Sequence, residues 1–122
     1  MRLYKNSSDL LERARRVTPL GTQTRSKAAS AHVEGAAPAF TRRGYGCRFE
    51  DEDGNVYIDY SMALGAVGLG YCHPEVDEAV IAQVYKGASY SLASRIEIDV
   101  AEALCEIIPC AESVRFVKTG SE

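Results

Sequence analysis

The sequence predicts an α/β chain: a leading helix, a small antiparallel hairpin region, then two helices and a closing strand. Three observations carry this. Apolar residues recur at helical spacing in three segments, Asp53-Gly54 separates two β-prone runs, and Ser113-Val114-Arg115-Phe116-Val117 is itself β-prone. With 122 residues, 46% hydrophobic and 25% charged, the composition is that of an ordinary globular protein. The length suits one small domain rather than two.

The first helix is expected over Ser7 to Arg16, with the stripe Leu10, Leu11, Ala14 and Val17. Ser8 or Asp9 is placed to cap it, Asp9-x-x-Glu12 has the form of a capping box, and Pro19 and Gly21 end it. Thr22 to Pro38 is small, polar and without period, and reads as an extended segment lying on something else. Phe40, Arg42 and Gly44-Tyr45-Gly46 suggest a short strand and turn. The runs on either side of Asp53-Gly54 then form a hairpin, with the acidic residues 50–53 read as a solvated turn. Residues 61–72 are Gly-rich and apolar, a composition that lets backbone approach backbone or ligand closely. Pro74 opens the next helix, with Glu75, Asp77 and Glu78 in its first turn and Gly87 beyond its end. A further helix runs from about Ile96 to Ile108, where Pro109 stops it.

Several function classes are excluded on composition and spacing. Cys47, Cys72, Cys105 and Cys110 contain no C-x-x-C pair, so reduced thiols are expected and a zinc site is not, despite the neighbouring Cys72 and His73. The acidic run lacks the spacing of a calcium loop. Net charge is −3, but residues 1–48 carry ten Lys/Arg against three acidic residues, and residues 49–122 carry four against fourteen. Such asymmetry can mark a nucleic-acid arm. Without a tight Arg/aromatic stripe it reads instead as two halves that neutralise each other or a second subunit, so no nucleic-acid partner is expected. The longest uncharged stretch, Tyr60 to Pro74, falls short of the roughly 20 apolar residues of a membrane helix, so no membrane partner is expected either. The opening residues lack the apolar run of a signal peptide, which makes the cytoplasm the default location.

Chemistry could reside at the end of the chain. A β-prone run entering Thr119-Gly120-Ser121-Glu122 is a plausible phosphate site: Gly permits the turn, Thr and Ser bring hydroxyls, and N–H groups at a helix start face an anion. It lacks the Walker spacing and lysine. Gly68-x-Gly70 is only a fragment of a dinucleotide fingerprint and is not preceded by a clear strand. His73, with no base or nucleophile beside it, reads as a capping or packing residue.

The order of motifs adds to this. Asp51-x-Asp53-Gly54-Asn55-x-Tyr57-Ile58-Asp59-Tyr60 is followed by Gly65-x-x-x-Leu69-Gly70-Tyr71-x-His73-Pro74, and then by Val114-Arg115-Phe116 and Thr119-Gly120-Ser121-Glu122. In combination these resemble the N-terminal part of class III aminotransferases, most of all the glutamate-1-semialdehyde aminomutase group. The resemblance implies the pyridoxal-phosphate-dependent transferase fold of type I, with residues 1–60 as an N-terminal arm and small antiparallel region and 61–122 as the start of the large, cofactor-binding domain. It implies homodimers with active sites at the subunit interface, pyridoxal 5'-phosphate as cofactor, and small-molecule amine and carbonyl substrates. It assigns Thr119, Gly120 and Ser121 to the cofactor phosphate and brings residues 61–70 near the active site.

The family's cofactor-binding lysine lies beyond residue 122, and Lys5, Lys27, Lys86 and Lys118 do not match it. The chain is therefore expected to be the first part of such an enzyme and inactive alone; the rival reading is a non-catalytic folded module or partner subunit. The aminomutases carry Pro-Gly-Gly-x-x-Ser-Pro-x-Arg, whose Arg faces the substrate carboxylate. Here the matching stretch runs from Pro19 to Lys27, with Lys27 at the Arg position and Arg25 two residues earlier. A lysine is a point charge rather than a bidentate fork, and Leu64 replaces an aromatic residue of the family, so the substrate is left open. For Arg25 and Lys27 the plain alternative is solvated or salt-bridged loop charge.

Overall fold

Helical periodicity in the first twenty residues produces α1, Lys5–Val17, in a computed structural model that describes residues 4–31, 33 and 36–118. Ser7 and Leu11 are its buried residues, one turn apart on the same face, while Val17 at its end is exposed. The chain then makes three short 3-10 turns, Pro19–Gly21, Arg25–Lys27 and Ala29–Ala31. This corrects the extended segment expected over 22–38. Small residues allow each turn to close locally through i to i+3 bonds such as Lys27 N–H to Thr24 O at 3.1 Å. Gly21 lies against α1, where a Cβ would stand 3.0 Å from Leu11 Cδ1.

The hairpin region is a three-stranded antiparallel sheet of β1 (Thr41–Tyr45), β2 (Arg48–Asp51) and β3 (Val56–Ile58), in that order. The register pairs Gly44 with Phe49 and Tyr45 with Arg48 across the first turn, and Phe49 with Tyr57 across the second. That last pair stacks, ring centres 5.0 Å apart, as directly opposed aromatics on a sheet do. The Asp53-Gly54 turn stands where the sequence puts it, with Gly54 at φ +82°.

After the sheet, a 3-10 turn at Met62–Gly65 leads to α2, Pro74–Val84, and then α3, Arg95–Ile107. Both helices lie within a residue or three of the expected bounds. α3 starts at Ser94, whose N–H donates to Glu97 Oε1 at 3.0 Å. Ser113–Val117 forms no β-ladder among the described residues: a strand exists only beside a neighbour, and here it has none.

The chain divides into two units, Met1–Val80 and Ile81–Glu122. In the first, the buried apolar side chains among the described residues are Leu11 and Ala28. In the second, Ile96, Ile98, Val100 and Ile107 of α3 are exposed. No helix among the described residues is long and apolar enough to cross a membrane.

Candidate functional site

Two carboxylates organise the first unit. Asp51, at the end of β2, is fully buried. Its Oδ1 accepts the N–H groups of Asp53 (3.0 Å) and Asn55 (2.8 Å), and its Oδ2 accepts Asn55 Nδ2 and the Tyr57 hydroxyl, each at 2.9 Å. Burial pushes its pKa up, but the Asn55 and Tyr57 donors outweigh this and hold it below the ordinary carboxylate value. Burial and the Tyr4 and Asp51 contacts in turn push the Tyr57 hydroxyl up. Glu50 is also buried, with Oε2 accepting Arg43 Nη2 at 2.6 Å and Nε at 2.9 Å across the β1–β2 pair. The acidic run is therefore no solvated turn: its first two residues point into paired, donor-rich surroundings.

Its fourth residue does another task. Asp53 caps α1, accepting Asn6 N–H at 2.7 Å and Ser7 N–H at 2.9 Å, while Asn6 Nδ2 donates to Glu52 O. The cap expected from Ser8 or Asp9 does not form, since the helix starts earlier, at Lys5 after Tyr4. Asp9 instead pairs with Lys5 at 2.7 Å and Glu12 with Arg16 at 2.6 Å.

Asp59 is the second centre. Its Oδ1 accepts Ser61 N–H (2.8 Å) and Met62 N–H (3.0 Å), and its Oδ2 accepts the Tyr71 hydroxyl at 2.5 Å. The Tyr71 bond lowers the Asp59 pKa and raises that of the tyrosine. Tyr71 is fixed from two further sides. Its ring covers Gly44, where a Cβ would fall 2.5 Å from the ring, and its backbone exchanges two hydrogen bonds with Gly46 at 2.8 and 2.9 Å. Gly70 makes that exchange possible: at φ +94° its missing Cβ would lie 3.1 Å from Gly46 O. The close approach expected of the Gly-rich stretch is thus realised against the chain's own hairpin. Between Asp59 and Tyr71, Met62, Ala63 and Leu64 have φ of 43°, 51° and 59°, a left-handed turn built of non-glycine residues. Leu64 is 82% exposed.

Of the residues singled out from sequence, Arg25 and Lys27 share one 3-10 turn and both are exposed. Thr119, Gly120 and Ser121 lie outside the described residues. His73 precedes α2, its carbonyl accepting Asp77 N–H at 2.9 Å, which is the position of a capping residue. Its Nδ1 is buried without a hydrogen-bond partner among the described residues. Cys47, Cys72, Cys105 and Cys110 are free thiols. Sequence reasoning placed Asp59 and Tyr71 in its motifs but missed their pairing. The available signal was an Asp closing a strand just before a Gly-rich run, which is where a carboxylate collects successive N–H groups.

Neither of two clefts among the described residues has the form of a seat for pyridoxal phosphate. A cleft beside α1, between Tyr4, Leu11 and Arg15 on one side and Ala29, Val33 and Pro38 on the other, holds about 80 Å³, below the range of small-molecule sites. An open groove in the second unit, about 410 Å³, is lined by Gln83, Tyr90, Ser94 and Glu97 among others, with no cation for a phosphate. Lys5, Lys27, Lys86 and Lys118 are all exposed, and the Asp9 hydrogen bond raises the Lys5 pKa. A lysine activated for carbonyl chemistry needs the opposite, a desolvated site that lowers it.

The sequence matches the family "Aminotransferase class-III" over residues 29–122. It is 41% identical over 116 residues to the glutamate-1-semialdehyde 2,1-aminomutase of Methanothermobacter thermautotrophicus, a match covering 95% of this chain and 26% of that protein. An omega-transaminase from Sphaerobacter thermophilus superposes with a TM-score of 0.83 at 35% identity, covering 94% of this chain and 25% of that one. A transaminase with PLP bound does so with a TM-score of 0.86 at 31% identity, covering 99% and 27%. The chain thus spans about a quarter of the length of the curated relatives it matches. With three-quarters of its residues inside the family match and a similar backbone in solved transaminases, the chain belongs to the class III aminotransferase family.

Proposed function

We infer that this chain is the N-terminal portion of a pyridoxal-phosphate-dependent class III aminotransferase or aminomutase-like enzyme, which moves an amino group between an amine donor and a carbonyl acceptor. The observation that carries the reading is the family match, which extends through residue 122 and so includes the Thr119-Gly120-Ser121 segment. In this reading residues 1–60 are the arm and small antiparallel region, and residues 61–122 begin the cofactor-binding domain. Thr119, Gly120 and Ser121 hold the cofactor phosphate through N–H groups and hydroxyls. Arg25 and Lys27, exposed on one short turn, are available to a substrate carboxylate. Pyridoxal phosphate, when bound, supplies the electron sink for chemistry at the substrate carbon. The lysine that carries it comes from outside residues 1–122, in keeping with the exposure of all four lysines here.

A second copy of the chain completes the site, a role to which the exposed apolar residues Tyr60, Leu64 and Leu69 lend support. Four free thiols suit the reducing cytoplasm.

The test has two parts. Reading the nucleotides after codon 122 should give a continuing frame with a lysine in a strand–loop context; a true stop favours the non-catalytic module. The 122-residue chain mixed with pyridoxal phosphate and desalted should lose its visible absorbance. Stoichiometric retention would overturn the placing of the lysine outside the chain.

A further inference from the structure

We propose that Asp53 is a positioning residue: by capping α1 from the β2–β3 turn it fixes where the helix lies relative to the sheet, and with it where Arg25 and Lys27 stand to meet a substrate carboxylate. The inference rests on the reading of function above for what those two cations meet. Its starting point is the source of the cap. Tyr4, the residue before α1, makes no side-chain cap bond, and the first turn of the helix holds no acid. Two N–H groups that a cap would satisfy go instead to one distant carboxylate, Asn6 to Asp53 Oδ1 and Ser7 to Asp53 Oδ2. A cap from a helix's own sequence stabilises it wherever it lies. A cap from the hairpin stabilises it in one place only. Asn6 Nδ2 adds a bond to Glu52 O at 3.1 Å, and the Tyr4 and Tyr57 hydroxyl oxygens lie 3.4 Å apart. Apolar burial is slight by comparison, since of the two buried residues of α1, Ser7 and Leu11, only Leu11 is apolar.

The segment beyond the helix is built onto it. Gly21 is buried at φ +72°, and its missing Cβ would stand 3.0 Å from Leu11 Cδ1 and 3.8 Å from Ala14 Cβ, so the chain doubles back on α1 there. The Arg25–Lys27 turn follows, closed by Lys27 N–H to Thr24 O and Ala28 N–H to Arg25 O, each at 3.1 Å. Ala28 is buried, and both this turn and Pro19–Gly21 lie beside Ala29–Ala31. Arg25 and Lys27 are therefore exposed side chains between two buried anchors, Gly21 and Ala28. Gly21 ties them to α1, and Asp53 ties α1 to the hairpin.

The experiment is a mutant cycle. In the 122-residue chain, Asp53→Ala should speed hydrogen exchange of the Asn6 and Ser7 amides about tenfold, the ordinary cost of losing a cap. It should also remove the nuclear Overhauser contact between the Tyr4 and Tyr57 rings, while the Thr18 and Ala28 amides keep their rates. In the complete enzyme, Asp53→Ala should raise KM for a substrate that carries a carboxylate about fivefold, lower kcat less, and leave KM for an amine without a carboxylate unmoved. Arg25→Gln with Lys27→Gln should raise the same KM, and adding Asp53→Ala to that pair should raise it no further. A retained Tyr4–Tyr57 contact overturns the holding role. A lost contact with an unmoved KM, an equal rise for the amine without a carboxylate, or additive effects in the triple variant overturns the positioning role while the functional reading stands. An unmoved KM in Arg25→Gln with Lys27→Gln overturns the reading of those two residues and the proposal with it.

Discussion

Replacing Gly70 by alanine should open the contact between the Gly-rich stretch and the sheet, by an amount the geometry sets. Two penalties add. At φ +94° any residue with a Cβ is strained, at a cost of about 1–3 kcal/mol. The new Cβ would also stand 3.1 Å from Gly46 O and 3.2 Å from its C and Cα. Those are backbone atoms and have no rotamer to escape into, so the two segments must part by a few tenths of an ångström. The reciprocal Gly46–Tyr71 hydrogen bonds, now 2.8 and 2.9 Å, then weaken, at about 1 kcal/mol each if both are lost. Gly54→Ala is the internal control: its φ is +82°, but nothing lies within 4 Å of its Cβ, so it carries the strain without the clash. The difference between the variants is therefore about 1–2 kcal/mol, roughly tenfold in the local opening equilibrium. Amide exchange of Gly46 and Tyr71, measured by NMR in both variants, reads this directly. Equal exchange rates in Gly70→Ala and Gly54→Ala would refute the close-approach account.

Other outcomes follow from the same contacts. Asp51 and Asp59 titrate below their unfolded value, so their contribution to stability is complete above about pH 5 and is lost as pH falls through about 4 towards the folded pKa; circular dichroism between pH 7 and 3 should show loss of structure only in that acid range. Asp53→Ala should fray the first turn of α1, seen as faster exchange at Asn6 and Ser7 with little change at Thr18; protection unchanged at both would mean the cap contributes nothing. With Ile96, Ile98, Val100 and Ile107 exposed on α3, the 122-residue chain should self-associate at micromolar concentration, and a clean monomer in sedimentation would contradict this.

What the sequence determines by itself is local. Pro74 with acidic residues behind it starts a helix because its own N–H is not needed there, and Asp53-Gly54 makes a hairpin because glycine accepts the positive φ of the turn. The order of motifs was likewise enough to indicate the family, since it depends only on residue type and spacing. Most of the misreadings share one cause. Asp9 had the form of a cap, but the Asn6 and Ser7 N–H groups of α1 are taken by Asp53, 47 and 46 residues later, and only the packed hairpin could bring that carboxylate to them. Residues 113–117 are a different case: they have strand propensity, but a ladder also requires a neighbour, and the described residues bring none beside them. Asp51 looked like a solvated acid until four donors gathered around it. Asp59 and Tyr71 stand in the motifs that indicate the family, but their pairing and the left-handed turn between them were hidden for the same reason. A carboxylate's partners, and the strain they sustain, are set by which backbone N–H groups and hydroxyls the fold brings within 3 Å, and sequence spacing does not carry that distance.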